Sequence, residues 1–388
     1  MNFDQDQQQR IGALSKSALI CIVGARPNFM KIAPIMAAFK KSDFSKPVYL
    51  LHTGQHYDES MKDSFFDQLG IPMPDIDLEV GSGTHSVQTA EIMRRFEPVV
   101  DQAEPCAILV VGDVNSTIAC ALVAAKKGIP VIHVEAGLRS NDRTMPEEIN
   151  RILTDQLSDY LFTTETNAED NLLREGINKE KIHFVGNVMI DTLFANKEKA
   201  ISVSDTINKY CSAEIAENLT NSFATLTLHR PSNVDNAIIL ESLLNSIGKI
   251  SDVLPVVFPV HPRTQQMLVS SGLNALLDSF KNLIQLPPVN YLEMLGLVSS
   301  SKLVLTDSGG LQEETTALGI PCITLRENTE RPITVDAGTN TIVGTNSKKI
   351  QLAFEDIMLT GGKQGNIPLG WDGKAALRIC KILSDSLL

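Results

Sequence analysis

Two apolar runs in this chain each end in an acid. Ala107–Val111 leads into Asp113, and Val131–Val134 leads into Glu135. Between them, Asn115–Lys127 has helical spacing and a Gly-Ile-Pro turn follows, the pattern of a right-handed crossover between parallel strands. Open parallel sheets bind ligands just beyond the carboxyl ends of their strands. Two carboxylates delivered there, with Glu147 and Glu148 following in MPEEINR, point to acid/base chemistry rather than packing.

Other strand ends carry cations and glycines. GARPNFMK (24–31) stands where a dinucleotide-binding protein would place GxGxxG. It offers Gly24 for a tight turn and Arg26 and Lys31 beside a helix start, which together make an anion site. TDSGGLQEE (306–314) is a strand end, a small-residue turn and a helix start. Ser308, Gly309 and Gly310 can present a hydroxyl and amides to a phosphate there; the plainer alternative is an ordinary N-cap with Glu313 and Glu314 complementing the helix dipole. LHRPSNVD, FPVHPRT and RENTERP add His229 and Arg230, His261 and Arg263, and Arg331. A single strand-end histidine is more often structural than catalytic. Successive strands ending in His229, His261 and Asp307-Ser308 place imidazoles, guanidinia and a glycine turn on one rim. TGQHYDESM brings Gln55 and His56 to another strand end. No metal site is expected, because there is no HExxH and consecutive turn residues seldom converge on an ion.

The elements that must position these groups alternate along the chain. Apolar runs at 18–23, 48–52, 107–111, 131–134 and 160–163 interleave with amphipathic segments at 29–40, 86–101, 115–127, 146–157 and 168–175. A polar connector at 195–221 follows. Alternation then restarts with runs at 224–228, 256–260, 283–286, 303–305 and 322–325 and helical segments near 236–250, 291–298 and 310–318. The fold class is therefore α/β, with two Rossmann-like doubly wound domains. The expected boundaries are a disordered extension at 1–16, a first domain at 17–190 joined by a C-terminal helix near 373–388, and a second domain at 191–370. Facing rims would form an interdomain cleft that holds a diphosphate-containing molecule beside a group of acids.

Composition bounds the rest. The chain has 388 residues, 43% of them hydrophobic, enough for two cores. A formal net charge of −12 excludes nucleic acid as a general partner. The six cysteines are scattered without a CxxC pair, which fits a reducing compartment. No run approaches a membrane span, and the polar start MNFDQDQQQR has no signal-peptide core. The expected address is the cytoplasm.

Taken together, GARPNFMKIAPI, TGQHYDESM, GDVNST, HVEAGLRS with MPEEINR, HRPSNVD, PVHP, TDSGGLQEE and TERP resemble the non-hydrolysing UDP-N-acetylglucosamine 2-epimerases, in family order over about residues 18–345. The resemblance implies a GT-B-like fold, a homodimer, and interconversion of UDP-N-acetylglucosamine and UDP-N-acetylmannosamine for a cell-envelope polysaccharide. UDP leaves C1 as the C2 proton is removed, giving 2-acetamidoglucal, and re-adds after a proton returns from the opposite face. That reaction needs a base, an acid and cations at the leaving phosphate, but no hydride carrier; no cofactor is expected.

By matching positions, the resemblance makes Asp113, Glu135 and Glu147 the catalytic carboxylates, with His229 serving the leaving oxygen. Arg26, Lys31, Arg139, Ser308, Gly309, Gly310, Glu314 and Arg331 are the expected substrate-binding set, Glu314 on the ribose hydroxyls. Three acids in one cleft are expected to repel one another and keep one protonated. Activation by a second UDP-N-acetylglucosamine stays open. Gln55, His56, Arg230 and His261 are candidates for it, but Asp58 stands where a second Gln is often found and GSGTHSVQT lacks an Arg. The alternatives are a 2-epimerase of a UDP-diacetamido-uronic acid, with Arg139 and Arg143 meeting the extra carboxylate, a hydrolysing epimerase, a GT-B glycosyltransferase, and a nucleotide-sugar sensor without turnover.

Overall fold

A computed structural model describes residues 5–54, 66, 68–211, 215, 219 and 222–387. The chain divides into two compact units, Met1–Thr192 with Leu369–Leu388, and Leu193–Pro368.

The first unit is built on strands β1 (Leu19–Val23), β2 (Val48–His52), β3 (Ile76–Asp77), β4 (Ala107–Val111), β5 (Val131–Ala136), β6 (Tyr160–Thr163) and β7 (Ile182–Phe184). They lie in the order β3-β2-β1-β4-β5-β6-β7, every pairing parallel. β1, β4 and β5 are buried along their whole length, which is why they read as continuous rather than alternating apolar runs. Ile20, Ile22, Ile108 and Val110 pack with Ile92, Phe96 and Val99 of helix His85–Ala103 and with Ala119 and Val123 of helix Asn115–Lys126. The strand order reverses between β1 and β4. Such a switch point leaves a crevice beyond the strand ends, and the 24–31 turn and Asp113 lie at it.

The second unit repeats this plan with β8 (Ala224–Thr227), β9 (Val256–Pro259), β10 (Leu283–Leu286), β11 (Leu303–Thr306), β12 (Cys322–Thr324) and β13 (Asn340–Ile342). The order is β10-β9-β8-β11-β12-β13, again all parallel. Its core joins Leu226, Phe258 and Leu305 to Leu240, Leu244 and Ile247 of helix Ala237–Ser251 and to Ile350 and Phe354 of helix Ser347–Thr360. The reversal falls between β8 and β11, where His229 and Ser308 follow the strands.

Three strands, β3, β7 and β13, were not expected. Each is a sheet edge of two or three residues, too short to show a pattern. The expected disordered extension is corrected: a helix spans Gln5–Gly12, and Ile11 is buried in the first core. One apolar residue among glutamines gives little signal, yet burying it anchors the segment. The connector holds helix Val203–Tyr210, whose N-cap Ser202 hydroxyl accepts the Asp205 amide at 3.0 Å. Among the described residues no helix is long and apolar enough to cross a membrane, and all six cysteines are free.

The C-terminal segment is tied into the first unit by polar contacts as well as packing. The indole of Trp371, buried to 1% exposure, donates to the Thr164 carbonyl at 3.1 Å. Arg378 donates to the Val185 carbonyl at 2.8 Å. The Asp191 carboxylate accepts the amides of Ala375 and Ala376 at 3.1 and 2.7 Å, at the start of helix Ala375–Ser386. Burial pushes Asp191 up to about 6 despite those amides. Its native value exceeds its unfolded one, about 3.9, so its contribution to stability is full below pH about 4 and is lost as pH rises through about 6. The urea midpoint followed by Trp371 fluorescence should therefore fall more steeply between pH 4 and 6.5 in the wild type than in Asp191→Asn. Parallel pH profiles would remove Asp191 as the cause.

Candidate active site

In the first unit, the chain leaves β1 through Gly24 and enters helix Arg26–Lys41. Asn28 secures this turn: its Oδ1 accepts the Gly24 and Ala25 amides at 3.1 Å each, and its Nδ2 donates to the Val111 carbonyl at 2.9 Å. The turn is thereby latched to the end of β4. One helical turn on, Lys31 forms an ion pair with Glu135, with side-chain exposures of only 7% and 5%. Lys31 thus meets an acid of the site, where a phosphate contact was expected. The Arg26 side chain, Gln55, His56 and Asp58 lie outside the described residues.

Glu135 sits in left-handed backbone, φ 74°, at a register shift between Val134 and Ala136 of β5. Left-handed geometry costs a non-glycine residue about 1–2 kcal/mol. A bulge of this kind re-aims a side chain, and here it turns Glu135 toward Lys31 and Gly112. Gly112 is favoured by its left-handed backbone, φ +67°, and a Cβ there would lie 2.7 Å from the tip of Lys31.

Asp113 follows directly and is 24% exposed at its side chain. It pairs with Arg151 of helix Pro146–Leu157, and Arg151 also pairs with Glu148. Glu148 is buried and accepts the Ser140 and Asn141 amides at 2.9 Å each. Burial works against its charge, but those amides and the Arg151 guanidinium hold its carboxyl below the usual range. Glu147, on the same helix, is half-buried. Asp113 and Glu135 thus each face a cation.

Arg139 is placed elsewhere than expected. It is buried, pairs with Asp155 at 2.7 Å and forks onto Glu175 at 2.8 and 2.6 Å. Asp155 also meets His133 Nδ1 at 2.6 Å, and His133 Nε2 meets the Gly112 carbonyl at 2.8 Å. This buried network supports the strand ends from beneath and leaves the Arg139 guanidinium engaged within the fold.

In the second unit Asp307 organises the rim. Fully buried, it accepts the amides of His229 at 3.0 Å and Arg230 at 2.9 Å and the Asn233 side chain at 3.2 Å. It also pairs with His229 Nδ1 at 2.9 Å. That contact engages Nδ1 of an imidazole whose side chain is 34% exposed. Burial opposes the Asp307 charge, yet His229 and the two amides keep its carboxyl below the usual range. The His261 ring lies 5.5 Å from that of His229, and its Nδ1 caps helix Pro262–Ser270 through the Arg263 amide at 3.2 Å.

Helix Gly309–Leu318 begins at this rim, and the Ser308 side chain does not cap it. Its first amides therefore remain an anion site, flanked by Gly309 and Gly310. A Cβ on Gly309 would lie 2.7 Å from Glu330 Oε1. Glu330 is buried with Arg326 at 2.8 Å and Arg230 at 3.3 Å, while Arg331 meets buried Glu313 at 2.7 Å. Burial opposes the Glu330 charge, but Arg326, Arg331 and Arg230 hold its carboxyl far below the usual range. Arg230, Arg326 and Arg331 thus stand against Glu313 and Glu330. Arg230 Nε and Arg326 Nη1 are buried without hydrogen-bond partners, as are Glu313 Oε2 and Glu330 Oε2. Glu314 is buried with the Tyr291 hydroxyl at 3.4 Å.

Arg326, Glu330 and Arg151 were not singled out from sequence, and Asp307 was named only as a strand end. The signal for Asp307 was its place between a buried strand and Ser-Gly-Gly, and for Arg151 its i,i+3 spacing from Glu148. Among the described residues no cluster of three His, Cys, Asp or Glu could hold a metal ion. Asp307→Asn should cost about 1–3 kcal/mol, because it deprives buried donors of an acceptor. Asp307 has a lowered native pKa, so its contribution is present above the unfolded value of about 3.9 and is lost as pH falls through the native one. Urea unfolding followed by circular dichroism should show the gap between wild type and variant closing in acid; a gap constant with pH would contradict this assignment.

The family model described as UDP-N-acetylglucosamine 2-epimerase matches residues 40–384. The UDP-N-acetylglucosamine 2-epimerase of Methanocaldococcus jannaschii is 43% identical over 368 residues, covering 94% of this chain and 98% of the relative. A UDP-2,3-diacetamido-2,3-dideoxy-D-glucuronate 2-epimerase of Pseudomonas aeruginosa is 39% identical, covering 94% and 99%. The crystal structure of the M. jannaschii enzyme with UDP-GlcNAc and UDP superposes with a TM-score of 0.85 at 42% identity, covering 95% of this chain and 100% of that one. With strands, turns and charged groups arranged as described, and with matches that run almost end to end, the chain belongs to the UDP-N-acetylglucosamine 2-epimerase family.

Proposed function

We propose that the chain interconverts UDP-N-acetylglucosamine and UDP-N-acetylmannosamine without net hydrolysis. The observation that carries this reading is the division of charge between two switch points: carboxylates of Asp113, Glu135 and Glu147 in one unit, an arginine-flanked helix N-terminus in the other. The second suits the diphosphate of a UDP-sugar, the first the reacting C2–H. A carboxylate takes the C2 proton and the C1–O bond breaks, its electron pair going to the β-phosphate of UDP. The 2-acetamidoglucal that remains takes a proton at C2 from a carboxylic acid on the opposite face, and UDP re-adds at C1.

In this scheme Ser308 and the Gly309 and Gly310 amides bind the diphosphate with Arg331, and Arg230 lies on the same rim through Glu330. His229, steadied by Asp307, faces the leaving oxygen, where developing charge is stabilised. Arg26 serves the diphosphate. Glu314 receives the ribose hydroxyls. Lys31 acts by holding Glu135. Of the two cations expected to meet the extra carboxylate of a uronic acid substrate, Arg139 is engaged with Asp155 and Glu175 and does not offer one, which leaves exposed Arg143. The free cysteines fit a cytoplasmic address, and the family resemblance supports a homodimer supplying a cell-envelope polysaccharide.

Incubation with UDP-N-acetylglucosamine in D2O, followed by NMR, should show deuterium at C2 and a UDP-mannosamine product. UDP-diacetamido-glucuronate turned over in its place would shift the substrate; neither reacting would remove the activity. Asp113→Asn, Glu135→Gln and Glu147→Gln should each lower turnover by roughly 10²–10⁴ with UDP binding nearly intact. Wild-type turnover in any one of them removes that residue from proton transfer.

A further inference from the structure

We propose that Arg151 is a positioning residue for this reaction: it clamps the Asp113 carboxylate to Glu148 and, through Glu148, to the backbone that follows β5. The inference rests on the epimerase reading and names a group that reading does not use.

One turn of helix Pro146–Leu157 ties down two strand ends. Arg151, with a side-chain exposure of 4%, presents Nη2 to Asp113 Oδ2 and Nη1 to Glu148 Oε2. The two Glu148 oxygens accept the Ser140 and Asn141 amides at 2.9 Å each. Asn141 is in left-handed backbone, φ 58°, so the loop has a particular shape for Glu148 to hold. Asn150 Nδ2 donates to the Asp113 carbonyl at 2.9 Å, gripping the same residue by its main chain. Glu148, Asn150 and Arg151 thus bind the end of β4 to the loop after Glu135.

The chemistry calls for arginine here. A buried guanidinium needs close anionic partners to offset the loss of water, and its planar fork can meet two carboxylates at once. An ammonium is a point charge and cannot hold both in the same geometry. Asp113 keeps part of its surface open while one oxygen is held, so its carboxylate approaches a substrate from a fixed direction. Proton transfer depends on such alignment, and a displacement of about 1 Å can cost about 10²-fold.

The test uses full-length wild type, Arg151→Gln, Arg151→Lys, Asp113→Asn and the Asp113→Asn/Arg151→Gln double variant. Epimerisation kcat and KM, C2 deuterium exchange and calorimetric UDP binding are measured for each. Arg151→Gln should lower kcat about 10²-fold with the UDP Kd changed less than about threefold, and Arg151→Lys should recover part of the loss. In the Asp113→Asn background, adding Arg151→Gln should change kcat by less than about threefold, because both act through one carboxylate. Wild-type kcat in Arg151→Gln, or losses that multiply fully in the double variant, would overturn the proposal. If Arg151→Gln does not fold, Arg151→Lys decides alone: reduced kcat with UDP binding kept supports the clamp, and unchanged kcat ends it. A wild type without C2 exchange sinks the epimerase reading and this inference together, whereas wild-type exchange with indifferent Arg151 variants sinks only this one.

Discussion

Carboxylates at the ends of buried parallel strands persist in this fold only because each has a fixed positive or proton-donating group against it. Moving an ion out of water costs several kcal/mol, which only close and well-aligned partners offset. Lys31 answers Glu135, Arg151 answers Asp113 and Glu148, His229 answers Asp307, and arginines answer Glu313 and Glu330. These pairs also fix direction. Glu135 holds an unfavourable left-handed backbone while gripped by Lys31, the kind of local strain that persists where surrounding contacts over-determine it.

The two units share one strand order and put it to different chemical use. In each, reversal of the sheet order opens a crevice beyond the strand ends. What occupies that crevice depends on the turns. The first unit fills it with Asp113, Glu135 and the lysine and arginine that hold them. The second brings a glycine-lined helix start beside three guanidinia, with Asp307 buried behind His229. Glycine leaves room for a charged side-chain tip in both units, at Gly112 for Lys31 and at Gly309 for Glu330.

Much of this was legible before any coordinates. Strands buried along their length announce themselves as apolar runs, and Ala107–Val111 has the extent expected of it, as do the partly buried Val48–His52 and Tyr160–Thr163. Edge strands β3, β7 and β13 left no pattern. Arg139 shows the harder limit. Just past β5 it reads as a rim cation, but Asp155 and Glu175, supplied by later segments, draw it inward. Arg151 shows the reverse: its spacing from Glu148 is visible in the chain, while the contact with Asp113 exists only once β4 and helix Pro146–Leu157 are adjacent.

By itself, the order of residues determined the alternating elements, the two parallel sheets, and which acids, cations and glycines fall at strand ends. Those follow from local periodicity and from the burial of apolar runs, which act over short stretches of chain. Only the tertiary structure decided which charge meets which. Asp113 finds Arg151, Glu135 finds Lys31, and Arg230 finds Glu330 across long separations in sequence. Coulomb attraction in a desolvated site depends on distance in space, and that distance is set by the packing of strands and helices rather than by position along the chain.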